Sequence, residues 1–442
     1  MDALLVLLVI LCEVSALGVL GDGHQALATG ANAVGFSAGF SLITGFSGLY
    51  GKVSRLSEHQ LLTRAVVASL LAVPLAIVIF VLVPGAADAP WLPFAAVSGA
   101  VAVVMRRASV ARRAAGTETG HRILVFGTGA AAVEVANCVK AQAPEITLVG
   151  FYPGPTETQG LVQSSQLLAT QRSLIDTAQA LNVDEIVVAV SERRAGSMPL
   201  RELLDCRLRG IRVFDLATFF ERLLGQIRIE YTHAGWLVFG GGFRRGRVRA
   251  GLKRAFDVVC SLFLLLLALP VMAAAAIAIK FESRGPLIYR QERVGLRGRC
   301  FTILKFRSMT MDAEVDGRPR WATANDARVT RVGRLIRLCR IDELPQLVNV
   351  LRGDMSLVGP RPERPYFVEQ LTERIPYFQV RHSVRPGLTG WAQVSYAYAS
   401  SVDDALRKLQ FDLYYVKNHS LFLDIIIMFR TVVVVLTGKG AC

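Results

Sequence analysis

The chain has 442 residues, more than one ordinary domain needs and enough for two or three. Fifty Lys and Arg against 35 Asp and Glu give a net charge of +15, with 52% apolar and 19% charged residues. Soluble globular domains carry about 25% charged residues, so this composition excludes a disordered chain and argues against a purely soluble one. It fits a basic membrane protein whose partners are negatively charged: anionic lipid, phosphate or nucleotide. The seven Cys, at 12, 138, 206, 260, 300, 339 and 442, form no C-x-x-C pair and are odd in number. They fit reduced thiols facing a cytoplasm, not a disulfide framework or a zinc site.

Residues 1–106 read as a four-helix transmembrane region. Apolar stretches cover 3–20, about 27–50, 65–83 and 91–105, and a span needs about 20 apolar residues. A signal peptide ending near Ala26-Leu27-Ala28 competes for the first stretch. It lacks a basic n-region and more spans follow, so we read an uncleaved span. Lys52, Arg55 and Arg64 lie between spans two and three, while loops 21–26 and 84–90 hold no Lys or Arg. Arg106, Arg107, Arg112 and Arg113 follow span four. Positive residues stay inside, so everything after 106 starts in the cytoplasm.

Residues 120–240 read as an α/β, Rossmann-like domain. Strands are predicted at Arg122–Phe126, Thr147–Phe151, Ile186–Val190 and Ile211–Phe214, alternating with helical patterns, which implies a parallel sheet. Gly127-Thr128-Gly129 after the first strand resembles a dinucleotide fingerprint, but its third position is Ala132. No carboxylate closes the second strand; Tyr152-Pro153-Gly154 stands there. A degenerate nucleotide-binding unit with a structural or regulatory role is therefore expected rather than one that uses NAD.

Val258–Ile279 is uncharged and long enough to span. Its flanks are both basic: fourteen Lys or Arg and three Asp or Glu lie between Phe243 and Met309. A spanning helix cannot keep both flanks in the cytoplasm. A re-entrant helix over 257–280 can, and Pro270 supplies its break by lacking an N–H and crowding the preceding turn. A fifth span with a tolerated proline is the plainer alternative.

The chemistry is expected in residues 250–442. Arg340-Ile-Asp342-Glu343-Leu-Pro345-Gln346-Leu347 opens a predicted helix with Leu344, Leu347, Val348 and Leu351 on one face and Gly353 as its stop. Asp342 stands where an N-cap belongs and Pro345 in the tolerated first turn. A cap role alone would account for Asp342. The same geometry also keeps a carboxylate ionised and attracts phosphate, so Asp342 is a candidate nucleophile toward phosphorus. Glu343 is a candidate Mg2+ ligand, since that ion takes one or two carboxylates plus substrate phosphates. Lys305 and Arg307 are expected on one face of a strand. Arg337, Arg361 in Gly359-Pro-Arg-Pro362 and Arg385 before Pro386-Gly387 complete a candidate phosphate-binding set. A solvated or lipid-resting basic surface is the alternative for each. Leu421–Leu436, with Asp424 and Arg430, reads as a helix lying on the membrane surface.

The motif order Lys253-Arg-Ala-Phe-Asp257, Gly285–Gly295, Lys305–Met309, Asp342–Gln346, Gly353–Pro362, Arg385–Val394 and Asp412–Asn418 strongly resembles the bacterial sugar transferase family. These are the polyprenyl-phosphate hexose-1-phosphate transferases, built on a monotopic phosphoglycosyl transferase core. The resemblance covers about 250–440, and the upstream parts look like the long form found in exopolysaccharide operons. It implies that a UDP-sugar and undecaprenyl phosphate give undecaprenyl-diphosphate-sugar and UMP. It also implies that Asp342 carries a phosphosugar-aspartyl intermediate and Glu343 the Mg2+ side of the site, with Arg337, Arg361 and Arg385 on phosphate or the metal site. The family hairpin commonly pairs Ser with Pro, whereas Leu269 precedes Pro270 here. The implied place is the cytoplasmic face of the bacterial inner membrane. The implied partners are membrane lipid and both substrates but no nucleic acid; a homo-oligomer stays open. Two rival readings fit parts of the sequence. A nucleotide-gated transport regulator lacks ligand residues after the second strand, and a non-enzymatic scaffold predicts that Asp342→Asn keeps full activity.

Overall fold

The computed structural model describes residues 121–154, 161–168, 172–190, 198–232, 234–239, 241–243, 246–310, 328–396 and 401–437. Before these it describes Val34, Phe36, Gly39, Ser98 and Val101, all helical. The chain divides into two compact units, Met1–His121 and Arg122–Cys442. Apart from those five positions, the four expected spans lie outside the described residues.

The second unit begins with a parallel sheet. Strands β1 (Arg122–Phe126), β2 (Thr147–Tyr152), β3 (Glu185–Val188) and β4 (Arg212–Asp215) lie in the order β2-β1-β3-β4. Helices α1 (Ala130–Gln142), α2 (Leu174–Ala180) and α3 (Leu200–Leu208) connect them, and α4 (Leu216–Leu224) follows β4. The central strands are apolar on both faces because helices cover both. Ile123, Val125 and Val187 share a core with α1 and α4, and Leu124, Phe126, Ile186 and Val188 share one with α2 and α3.

This sheet layer is packed onto the C-terminal half. Ile227 and Ile229 share a buried cluster with Phe367, Leu371, Phe378, Leu409 and Leu413. Glu221 of α4 accepts from Lys417 Nζ at 2.6 Å, and that ammonium lies 3.7 Å from the Trp236 ring centroid in α5 (Ala234–Phe239). The pair is buried, so each charge depends on the other for its solvation.

Helix α6 runs from Arg247 to Glu282 without interruption, 36 residues with Pro270 inside. It is therefore longer at both ends than the expected 257–280. Among the described residues it is the one helix long and apolar enough to cross a membrane. Straight, it would measure about 54 Å. Its two ends are both held by the C-terminal domain. Arg254 donates to the Val350 and Leu351 carbonyls at 2.6 and 2.8 Å, and Lys253 pairs with Asp424 at 2.8 Å. At the far end Glu282 accepts from the Val332 N–H at 3.1 Å. Between them Leu266, Leu267, Leu269 and Val271 are exposed. Pro270 cannot donate to the Leu266 carbonyl, which marks the weakest point of the helix.

The domain itself combines two small sheets with short helices. β5 (Ile288–Val294) and β6 (Cys300–Phe306) are antiparallel; β7 (Ser356–Val358) and β8 (Gly387–Thr389) are parallel. Helices α7 (Arg331–Leu338), α8 (Gln346–Arg352), α9 (Pro365–Arg374), α10 (Trp391–Ser395), α11 (Val402–Asn418) and α12 (Leu421–Thr437) surround them. α12 corrects one detail of the surface-helix expectation. Asp424 is fully buried, bonded by Lys253 and the Tyr415 hydroxyl, so its carboxyl serves the fold rather than lipid headgroups.

Candidate active site

Asp342 and Glu343 do not begin an α-helix. They occupy a 3-10 turn, Ile341–Glu343, and α8 starts only at Gln346, with Pro345 at the cap position and no side-chain cap bond. The N-cap expectation for Asp342 is therefore corrected. Proline at 345 has no N–H to offer the helix and fixes a helical φ, so it seeds α8 two residues beyond the dyad. The turn itself is set by Arg340, whose φ of 57° reverses the chain after α7. The buried face of α8 is Gln346, Leu347, Asn349 and Val350; Val348 and Leu351 are half-buried. Gly353 ends it in the left-handed conformation at φ 95°, as its sequence position predicts.

α8 is registered against β6 by one side chain. Asn349 accepts from the Leu304 N–H at 3.0 Å and donates to the Thr302 carbonyl at 2.8 Å. This sets Lys305, the next residue, beside the dyad. A second device sets Arg361. Gly359 donates to the Thr389 carbonyl and Gly387 to the Pro360 carbonyl, both at 2.9 Å. A Cβ on Gly387 would lie 2.1 Å from the Gly359 nitrogen, so only glycine allows the two loops to meet this closely. Behind Arg361, Arg381 donates to its carbonyl at 2.9 Å and pairs with Asp412 at 2.8 Å.

The result is a carboxylate clamped by cations. Lys305 Nζ lies 2.9 Å and Arg361 2.8 Å from the same oxygen, Glu343 Oε1, and Arg340 stands at 4.0 Å. Burial pushes the Glu343 carboxyl up, but the Arg361 and Lys305 cations hold it well below the usual carboxylate range. Burial pulls Lys305 down, against the raising effect of Glu343. Asp342 behaves oppositely. Burial and the neighbouring Glu343 charge raise its carboxyl, with Lys305, Arg361 and Arg337 pulling the other way. Glu343 takes the cations; Asp342 is left with a buried Oδ1 that has no hydrogen-bond partner among the described residues. Asp342 is 8% and Glu343 7% exposed.

The predicted set divides in the structure. Asp342, Glu343, Lys305 and Arg361 come together, with Arg337 near enough for its charge to act on Asp342. Arg307 does not join them. It lies past the end of β6, is buried, and donates to the Ser283 and Arg284 carbonyls at 2.9 and 2.8 Å. Its guanidinium caps the C-terminus of α6, where unsatisfied carbonyls favour a cation. Arg385 donates from Nε to the Gly353 carbonyl at 3.0 Å, at the end of α8. The motif pattern gives Arg340 and Gln346 no site role. Gln346, the first residue of α8, is 2% exposed, and its Nε2 has no partner among the described residues. Its signal was already in the motif: an amide among apolar neighbours at the start of a helix.

Two buried acids beside three or four cations can bind an oxyanion and retain one free carboxylate oxygen to react. The profile of the bacterial sugar transferase family matches residues 248–438, from α6 through α12 and including every residue of this site. A UDP-glucose:undecaprenyl-phosphate glucose-1-phosphate transferase of Caulobacter vibrioides is 47% identical over 193 residues, 43% of this chain and 71% of that protein. The chain belongs to the bacterial sugar transferase family. Longer alignments join this sugar transferase to two further proteins. A UDP-N-acetylgalactosamine-undecaprenyl-phosphate N-acetylgalactosaminephosphotransferase of Aeromonas hydrophila is 43% identical over 262 residues, 59% of this chain and 61% of the relative. An undecaprenyl-phosphate glucose phosphotransferase of Komagataeibacter xylinus is 35% identical over 327 residues, 71% of this chain and 58% of the relative. The alignments thus span about three fifths of those two relatives, and reach beyond the transferase core into the α/β layer.

Proposed function

We propose that this sugar transferase moves a sugar-1-phosphate from a UDP-sugar to undecaprenyl phosphate, the first step in building an exopolysaccharide or related glycan. Asp342 Oδ1 attacks the phosphorus that bears the sugar. The bond from that phosphorus to the bridging oxygen breaks, UMP leaves, and a phosphosugar-aspartyl ester remains. A lipid phosphate oxygen then attacks the same phosphorus. The Asp342 carboxylate is released and undecaprenyl-diphosphate-sugar forms. Two displacements let one compact site meet a water-soluble and a lipid substrate in turn.

The observation that carries this reading is the division of labour in the dyad. Glu343 absorbs Lys305 and Arg361, while a buried oxygen of Asp342 has no partner among the described residues. An unpaired buried acceptor costs about 1–3 kcal/mol, and the site keeps one beside an anion-binding cluster. Gln346 Nε2, in the first turn of α8, is a second buried atom without a partner among the described residues, and suits a phosphoryl or sugar oxygen. The donor set also fits Mg2+. Adjacent carboxylates are hard oxygen ligands, and among the described residues no three His, Cys, Asp or Glu gather, so diphosphate oxygens and water would complete the shell. Glu343 would hold the ion, which would offset the charge developing on the leaving phosphate.

α6 would enter and leave the bilayer on the cytoplasmic face of a bacterial inner membrane. One domain holds both of its ends, whereas a span would separate them by about 30 Å of hydrocarbon. The α/β layer would support the catalytic domain without using a nucleotide.

Membranes carrying the full chain, given a panel of UDP-sugars and undecaprenyl phosphate, should release UMP with one of them. Asp342→Asn should abolish that release. Undiminished UMP release by this variant would remove Asp342 as the nucleophile.

A further inference from the structure

Val358 ends β7, and Gly359, Pro360 and Arg361 follow it directly. Whatever fixes the end of β7 therefore fixes the stem of Arg361. Asp257 of α6 accepts from the Leu357 N–H at 3.3 Å, and the Tyr415 hydroxyl of α11 lies 2.9 Å from the Val358 carbonyl oxygen. The Ser356 hydroxyl donates to the same carbonyl at 3.0 Å. Behind Tyr415 stands Asp424 of α12. Its Oδ1 is 2.7 Å from the phenolic oxygen and its Oδ2 is 2.8 Å from Lys253 Nζ. Asp257 and Tyr415 are 1% exposed and Asp424 is 0%.

A phenol has one proton and a carbonyl has none. Burial pushes the Tyr415 hydroxyl well above its ordinary value, so it keeps that proton. Both of its contacts, to Val358 and to Asp424, have the length of an O–H···O bond. A single proton shared between two acceptors would leave both bonds long and bent. The Val358 carbonyl has no proton to add, so the second comes from Asp424. The charges agree. Asp257 meets only donors, the Leu357 N–H and Lys253, as an ionised carboxylate does. Among the described residues Lys253 is the one cation bonded to either carboxyl, at 2.8 Å from Asp424 and 3.5 Å from Asp257. Two ionised carboxylates would leave a buried negative charge unbalanced, which is costly. The other ionisable neighbours are occupied elsewhere. Arg249 of α6 is exposed and donates to the His419 carbonyl, and His419 of α11 directs Nδ1 to the Val416 carbonyl at 3.0 Å. Burial raises the Asp424 carboxyl, Lys253 and Tyr415 pull it down, and the Asp257 charge adds to the rise.

We propose that Asp424 is held as a neutral carboxylic acid that donates to Tyr415, so that Tyr415 donates to the Val358 carbonyl and both side chains act as positioning residues for Arg361. Oδ2 of the acid accepts from Lys253, whose charge Asp257 balances. Were Asp424 ionised, Tyr415 would turn its proton to the carboxylate and release the Val358 carbonyl. That would loosen the strand that carries Arg361 to Glu343. The proton assignment is independent of the reaction assigned to Asp342; the turnover readout rests on that reaction.

The test uses the full chain in lipid vesicles. The infrared difference between wild type and Asp424→Asn at neutral pH should show the C=O band of a carboxylic acid in the wild type alone, shifting in D2O. Tyr415→Phe removes the acid's acceptor and should shift that band. An amide reproduces the acid's pattern, a donor for Tyr415 and an acceptor for Lys253. Asp424→Asn should therefore release UMP at about the wild-type rate. Asp424→Ala and Tyr415→Phe, assayed below their unfolding midpoints, should lose about ten- to hundredfold in kcat, the cost of a misplaced site residue. A raised carboxyl stabilises the fold fully below its ordinary 3.8 and withdraws that stability as pH rises. The wild-type unfolding midpoint should thus fall relative to that of Asp424→Asn as pH is raised. A spectrum without an acid band, or a band that ignores Tyr415→Phe, overturns the proposal. Loss of turnover in Asp424→Asn equal to that in Asp424→Ala overturns it too, because a carboxylate would then be what the fold needs. Full turnover in Tyr415→Phe overturns the positioning role. A wild type that releases no UMP from any UDP-sugar sinks the reaction reading, while the infrared band still decides the proton.

Discussion

Arg361 lies 2.8 Å from Glu343 Oε1, the oxygen that Lys305 also holds, and leaves Asp342 Oδ1 bare. Two adjacent carboxylates are thereby made unequal. One is an ionised partner for cations and the other a buried acceptor with no partner among the described residues.

Removing the ionised partner should be costly. Glu343→Gln leaves Lys305 and Arg361 facing a neutral amide in a buried site. Turnover should fall by about 10²–10³-fold, the scale of losing a fixed electrostatic partner at a reacting centre. Arg361→Lys keeps the charge but loses the planar fork and should also fall, by about tenfold or more. UMP release in membranes measures both. Wild-type rates in Glu343→Gln would refute the division of labour.

Gln346 offers a sharper test, because stability and activity should move in opposite directions. Its buried Nε2 has no partner among the described residues. Gln346→Leu removes a donor that costs about 1–3 kcal/mol to bury unpaired. The thermal unfolding midpoint should hold or rise while turnover drops by about tenfold or more. A lower midpoint together with unchanged turnover would mean that Gln346 only packs.

Arg381 and Asp412 form a buried pair that also holds the Arg361 carbonyl. Burial pushes the Asp412 carboxyl up to about 6 although Arg381 pulls it down, so the pair is still ionic at neutral pH. Asp412→Ala should destabilise by about 3–5 kcal/mol by stranding the arginine. The double replacement Arg381→Met with Asp412→Leu should recover much of that stability in detergent melts. It should not recover activity, because Arg361 loses its support.

His382 predicts an acid limb of stability. Burial, aided by the Arg381 charge, lowers its pKa from the ordinary 6.5 to about 4. The unfolded chain therefore binds a proton that the folded one refuses. The stabilisation is complete above 6.5 and is lost as pH falls toward 4. Unfolding midpoints measured across that window should fall more steeply for the wild type than for His382→Asn. Parallel curves would show that His382 titrates normally.

Much of the site was legible in the motif order. Asp342, Glu343, Lys305 and Arg361 sit in short, chemically distinctive runs, and their proximity follows from the family pattern. Arg307 shows where such reading fails. On sequence it alternates with Lys305 and looks like its partner. In the fold β6 ends at Phe306, and Arg307 turns to the open carbonyls at the end of α6. Arg385 diverges similarly, toward the end of α8. Both lie where a helix C-terminus needs donors, and a linear string of residues does not show which helix end will arrive there. On sequence Asp342 caps a helix that its following leucines mark, but the positive φ of Arg340 and the ring of Pro345 start that helix only at Gln346.

The sequence by itself determined the alternation of strands and helices, the apolar length of α6 with Pro270 inside it, and the presence of a dyad among arginines. These depend on periodicity, composition and local backbone preference, which act over a few residues. Tertiary structure decided which carboxylate keeps a free oxygen, which arginines gather at the dyad and which cap helices, and that both ends of α6 are held by one domain. Those outcomes turn on burial and on hydrogen-bond partners separated by tens of residues, which exist only once the chain has closed on itself.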